Sequence, residues 1–136
     1  MWVLRNTRDN TIIGDRIGLA DTWESRYRGL LGRAGLAEGE GLIITSCNSV
    51  HSFGMRFAFD VLFLDSDKTV VSFASDVGPS RNIDSEFPAE YAVELPAGTI
   101  KSKGVKVGDR LQWQEDSKPS SSFRPGLPRW LFRWRP

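Results

Sequence analysis

From Phe57 to Leu64 the chain reads FAFDVLFL, a run in which Asp60 alone is polar. By the two-residue period of a strand, Phe57, Phe59, Val61 and Phe63 fall on one face and Ala58, Asp60, Leu62 and Leu64 on the other. Both faces are apolar, so the strand must be covered on both sides, and a carboxylate set in it is costly to bury unless paired. Just before it, Ser46 to Gly54 is polar and broken by glycine. The stretch from Cys47 to Asp65 therefore holds the only cysteine, the only histidine and Met55 at the base of a rigid strand. Loops held by rigid elements are where sites usually sit.

The punctuation around this strand is that of a β-rich chain. Trp2 to Arg5 and Thr11 to Ile13 flank a turn at Asp9-Asn10, and Arg16 to Ala20 is a further extended piece. Asp21 or Thr22 can cap a helix, Glu24 stands three residues after Asp21 as in a capping box, and Trp23, Tyr27 and Leu30/Leu31 recur at helical spacing. Gly32 stops that helix, predicted over about 22–31, with Arg26, Arg28 and Arg33 on its other side. Gly29 within it implies close packing of the helix backbone on the sheet. Strands follow at Gly41–Thr45, Thr69–Ala74, Glu90–Leu95 and Arg110–Glu115, with Ile100–Val107 a mixed stretch broken by Gly104. The pattern predicts a mainly β fold, α+β at the margin. Its form is a compact, mainly antiparallel barrel or sandwich of about eight short strands carrying one early helix.

A length of 136 residues suits one domain with its own core. Residues 1–116 carry 13 Lys/Arg against 17 Asp/Glu, whereas 117–136 carry 5 against none, so the tail has a different job from the body. The expected division is a β-rich domain over 1–116 and a Ser/Pro linker with a basic-aromatic tail over 117–136. One cysteine cannot form an internal disulfide. No signal-peptide pattern or membrane-length apolar run is read, and the expected location is cytoplasmic.

Several short motifs, in order, resemble the bacterial and archaeal family catalogued as domain of unknown function 192. They are Arg28-Gly29-Leu30-Leu31-Gly32-Arg33, Glu40-Gly41-Leu42-Ile43-Ile44, the Cys47–Asp65 stretch, Gly78-Pro79 with Arg81, Ala92-Val93-Glu94-Leu95 with Gly98, and Gly104 to Asp109. The resemblance spans about residues 3–115. It implies a β-rich barrel or sandwich with one helix and no established activity. The family's central motif often has an aromatic pair before Met and Asn-Thr after it, whereas Phe53-Gly54-Met55-Arg56-Phe57 stands here. Many relatives also carry an export signal, which this N-terminus does not show.

The candidate ligand-binding residues are Cys47, His51, Met55, Arg56, Asp60, Arg81 and Glu94. Cys47 and His51 would lie about 13 Å apart in an extended chain, too far for a nucleophile pair unless the loop folds back. Zinc needs three or four ligands where one Cys and one His stand, so no metal site is assigned. Asp60 invites an arginine partner, with Arg56, Arg28 and Arg81 in reach by sequence, or backbone N–H groups at a loop base. With Glu94 it could instead form a two-carboxylate pair for acid–base work. GEG at 39–41 and GLLGRAG at 29–35 fit neither phosphate-loop nor dinucleotide patterns, and the latter also needs a parallel βαβ unit that is not read here; no cofactor is expected.

In the tail, Arg129, Arg133 and Arg135 alternate with Trp130, Phe132 and Trp134. Trp and Arg together suit an anionic membrane surface, a docking site on the body or on a protein partner, and, ranked lower, single-stranded nucleic acid. Two functions stand: a non-enzymatic module binding a small polar or anionic ligand or a protein partner near residues 47–60, and a hydrolase using Asp60/Glu94 or Cys47/His51. Sparse catalytic groups favour the first.

Overall fold

The computed structural model describes residues 1–116; the tail and its candidates Arg129, Trp130, Phe132, Arg133, Trp134 and Arg135 lie outside the described residues. Nine strands and two short helices follow in the order β1 (Trp2–Asn6), β2 (Ile12–Ala20), α1 (Trp23–Arg28), β3 (Glu40–Thr45), β4 (Ser49–His51), β5 (Phe59–Leu64), β6 (Val70–Val77), β7 (Asn82–Asp84), β8 (Tyr91–Pro96), α2 (Thr99–Lys103) and β9 (Leu111–Glu115). Seven of them form one sheet ordered β6-β5-β8-β3-β2-β1-β9, and β4 pairs with β7. The class is mainly β, as the strand pattern predicts.

The sheet curls rather than closes. Its two edges meet at a single bridge, Thr69 to Arg110, supported by Val70 N–H donating to Asp109 O at 2.8 Å and Leu111 N–H to Lys68 O at 2.9 Å. Barrel is thus a loose description. The two faces bury separate clusters: Leu4, Ile17, Ile43, Leu62, Val93 and Leu95 on the inside of the curl, and Leu30, Ile44, Phe59, Val61, Phe63 and Ala92 on the outside. β5 is buried at all six positions, and its alternation divides its side chains between these clusters as the two-residue period requires.

Three expectations are corrected. The two pieces predicted at Thr11–Ile13 and Arg16–Ala20 merge, from Ile12 on, into one nine-residue strand, β2. β2 and β3 run parallel with α1 in the crossover, so a βαβ unit is present after all; the turn from β2 into the helix, Asp21-Thr22, holds no glycine, which keeps a phosphate loop out. Ile100–Val107 overlaps the short helix α2, which starts one residue earlier and which contiguous hydrophobicity could not reveal.

Helix α1 is also shorter and differently seated than its sequence suggests. Thr22, not Asp21, is its N-cap, and Thr22 Oγ1 accepts from the Ser25 N–H while Ser25 Oγ accepts from the Thr22 N–H. An apolar stripe at helical spacing ordinarily faces the core. Here none of the helix's residues is buried; Trp23 and Tyr27 are 72% and 74% exposed and stack on each other with centroids 5.8 Å apart. What anchors the segment is Leu30, just past the helix, in the outer cluster.

Candidate functional site

β8 lies between β5 and β3 in the middle of the sheet. Alternation sends Val93 and Leu95 inward and Ala92 and Glu94 outward. The outer face at Glu94 is roofed by the end of α1, where Gly29 takes φ 51° and ψ −131°, a conformation that side-chain-bearing residues rarely adopt. A Cβ at Gly29 would stand 3.5 Å from Glu94 Oε1. The glycine thus serves this turn over the carboxyl rather than tight helix–sheet packing.

Between this roof and β4 a cleft of about 60 Å³ opens, lined among others by Arg26, Tyr27, Arg28, Leu30, Cys47, His51, Met55 and Glu94. One water needs roughly 10–15 Å³. The cleft therefore accepts a few waters or a ligand group of several heavy atoms.

Glu94 is 4% exposed, and among the described residues nothing hydrogen-bonds to its carboxyl. Burial alone pushes it up to about 8, so it is largely protonated at neutral pH and offers an O–H donor as well as an acceptor. Cys47 Sγ donates to the Ser49 carbonyl oxygen at 3.2 Å. Burial foremost, opposed by that hydrogen bond, raised further by Glu94 and lowered by Arg26, leaves the thiol above its usual range. His51 lies on the cleft wall with its ring 5.9 Å from that of Phe53.

Of the residues singled out in the sequence, Cys47, His51, Met55 and Glu94 line this cleft, and Arg56, Asp60 and Arg81 do not. Asp60 is the clearest departure. It faces the other side of the sheet, where one oxygen accepts from the Asp76 N–H at 2.9 Å and the other from the Ile100 N–H at 3.0 Å. It thereby fixes a bulge in β6 and caps α2, whose own N-cap, Gly98, has no side chain to do so. No arginine among the described residues pairs with it. Arg81 acts through its backbone, which exchanges hydrogen bonds with Ser52.

Neither proposed catalytic pair is assembled. Asp60 and Glu94 face opposite sides of one sheet, and the Cys47 thiol is turned to a carbonyl and held protonated rather than activated by His51. No group of three His, Cys, Asp or Glu able to hold a metal occurs among the described residues. Sequence reading missed Arg26, Tyr27 and Ser49 as cleft residues and considered Arg28 only as one of three arginines in reach of Asp60. The two arginines alternate along the end of a short helix, but only the fold reveals that no acid pairs with them.

A mainly antiparallel, curled sheet with a short crossover helix roofing a buried outward-facing carboxyl defines a β-rich domain with a small surface cleft. The chain belongs to the DUF192 family, described as "Uncharacterized ACR", which it matches over residues 4–113. It is similar to a UPF0127 protein of Pyrococcus furiosus, 48% identical over 65 residues, which is 48% of this chain and 55% of that one, so the match spans little more than half of that relative. A UPF0127 protein of Pyrococcus abyssi is 33% identical over 119 residues, covering 83% of this chain and 98% of that one. Among solved structures, a protein of unknown function from Novosphingobium aromaticivorans superposes with a TM-score of 0.72 at 21% identity, over 82% of this chain and 83% of that one. A Sinorhizobium meliloti protein described as a proposed transcription regulator gives 0.71 at 28% identity, over 82% and 91%. No helix among the described residues is long and apolar enough to cross a membrane.

Proposed function

We propose that this protein is a binding module that holds a small polar ligand in the cleft between α1 and β4, with Glu94 recognising it. One observation carries this reading: Glu94 is a buried carboxyl with no partner among the described residues, and it faces open space. Its oxygens border the open cleft rather than being sealed off, since the one enclosed side-chain polar atom without a partner among the described residues is Trp2 Nε1. The same protein supplies the contrast. Asp60 has both oxygens occupied by backbone N–H groups, and Asp109 accepts from Asn6, Arg8 and the Lys106 N–H. Glu94 instead keeps its carboxyl open to a donor or acceptor that enters the cleft.

Binding is favoured over hydrolysis because no activated nucleophile or carboxylate pair accompanies Glu94 among the described residues. The regulator description of the Sinorhizobium protein gains no support here, since the two helices among the described residues have six and five residues, too short for a groove-reading helix with its support. The same reading keeps 1–116 as the binding domain, 117–136 as a tether to an anionic surface or partner, and a cytoplasmic location. The tether rests on the tail's five basic residues and no acid.

A thermal-shift screen of organic acids, amines, sugars and nucleotides tests the cleft. A ligand at a hundred times its Kd adds about 2.7 kcal/mol, roughly 8 °C for a domain of this size. The expected hit is lost in folded Glu94→Ala. A hit that survives this substitution, or a flat screen, overturns the reading. Loss of vesicle co-sedimentation on removing 117–136 is expected of the tether, and unchanged binding overturns it.

A further inference from the structure

We propose that the ligand class is an organic acid, its carboxylate held between the Glu94 carboxyl at the floor of the cleft and the Arg26 and Arg28 guanidinium groups at its rim. This rests on the cleft reading above and gives it a chemistry. The charges around the cleft are lopsided. The ion pairs of Arg8, Arg16 and Arg33 leave Arg26 and Arg28 out. Neither guanidinium pairs with Glu94, whose carboxyl is displaced by burial alone. Space for a ligand remains over the acid, in the cleft that both arginines help to line.

Every titratable group that faces this space can be named. Helix α1 supplies Arg26, Tyr27 and Arg28, the segment entering β4 supplies Cys47, β4 itself supplies His51, and β8 supplies Glu94. β3 contributes apolar Ile44, and Val61 of β5 stands opposite Glu94 in the ladder. At neutral pH the acid is mostly neutral and the thiol protonated, so the cleft carries the arginines' positive charge. A cation would meet that charge and would require Glu94 to ionise where water is scarce. An anion meets the arginines and receives the Glu94 O–H.

A carboxylate suits both ends. Hydrogen bonds from a neutral acid to an anionic oxygen are short and strong, and guanidinium recognises planar carboxylates with paired N–H groups. The remaining lining takes carbon: Leu30, Ile44, Val50 and Met55 stand in the cleft wall. At the rim, Tyr27 and Leu31 are exposed apolar surface for the rest of the molecule. The fit is a carboxylate on a short apolar stem.

Isothermal titration of the full chain with phenylacetate, phenylacetamide, phenethylamine and inorganic phosphate, at pH 7.5 and 9.5, tests this. Phenylacetate is expected to bind most tightly at pH 7.5 and to weaken roughly twentyfold at pH 9.5, as Glu94 gives up the proton it donates. In Glu94→Gln the amide still donates a hydrogen bond, so binding at pH 7.5 should stay within about tenfold of the parent and lose its pH slope. Arg26→Gln combined with Arg28→Gln should weaken phenylacetate tenfold or more at both pH values. Tighter binding of the amine, amide or phosphate, or a flat pH profile for phenylacetate in the parent protein, overturns the organic-acid inference. If such a probe's binding is lost in Glu94→Ala, the cleft reading survives that failure. If none of the four binds, both fall.

Discussion

Asp60 and Glu94 sit one residue out of register across the β5–β8 ladder, Asp60 opposite Leu95 and Val61 opposite Glu94, so the two carboxyls point to opposite faces of the sheet. One is consumed by the backbone, the other faces open space. Their substitutions should therefore separate cleanly.

Asp60→Asn should destabilise without touching the cleft. The amide keeps one acceptor oxygen where two backbone N–H groups now find partners, and its NH₂ would confront the second N–H. The expected loss is roughly 2–4 kcal/mol, read from urea midpoints. Ligand hits that depend on Glu94 should persist in the folded variant. Their disappearance would mean that Asp60 shapes the site.

Glu94→Gln should change how stability depends on pH. The Glu94 carboxyl is raised by burial from 4.5 to about 8, so between those values the folded chain keeps a proton that the unfolded chain has lost. Stability from this group is full below about 4.5, declines as pH rises to about 8, and is level beyond. At roughly 1.4 kcal/mol per pH unit the decline is on the order of 3–5 kcal/mol. The glutamine variant should lack this slope and exceed the parent in unfolding free energy at pH 9. Parallel profiles for the two proteins would mean that Glu94 ionises as an ordinary surface acid does.

Cys47 should alkylate slowly. Burial holds its thiol above the usual range, with Ser49 and Arg26 pulling it down and Glu94 pushing it up. Iodoacetamide at pH 8, followed by mass spectrometry, should modify it at least about tenfold more slowly than free cysteine. At pH 9, where Glu94 is charged, Glu94→Gln should speed the reaction and Arg26→Gln should slow it. Rapid alkylation at neutral pH would restore a nucleophilic role.

Trp23→Ser and Tyr27→Ser should each shift stability by less than about 1 kcal/mol, because both rings stand in solvent and mainly contact each other. Losses of several kcal/mol in chemical denaturation would show that the stripe packs against the body.

By itself the sequence determined the strand character of Phe59–Leu64 and its division into two apolar faces, because side-chain alternation is a local property of the backbone, although the strand begins two residues later than the predicted Phe57. It likewise set the turns, the position of the helix and the membership of Cys47, His51, Met55 and Glu94 in the list of candidates. Only the tertiary structure decided which faces meet. Register across β5 and β8 separates Asp60 from Glu94, and a one-residue difference in register reverses the face of every side chain. The crossover between parallel β2 and β3 turns Trp23 and Tyr27 outward despite their spacing, since Leu30 supplies the anchor that the helix's own stripe would otherwise provide. Arg26 and Arg28 lack ion-pair partners among the described residues for the same kind of reason. Charge pairing depends on distances between segments remote in the chain, and those distances exist only once the sheet has curled.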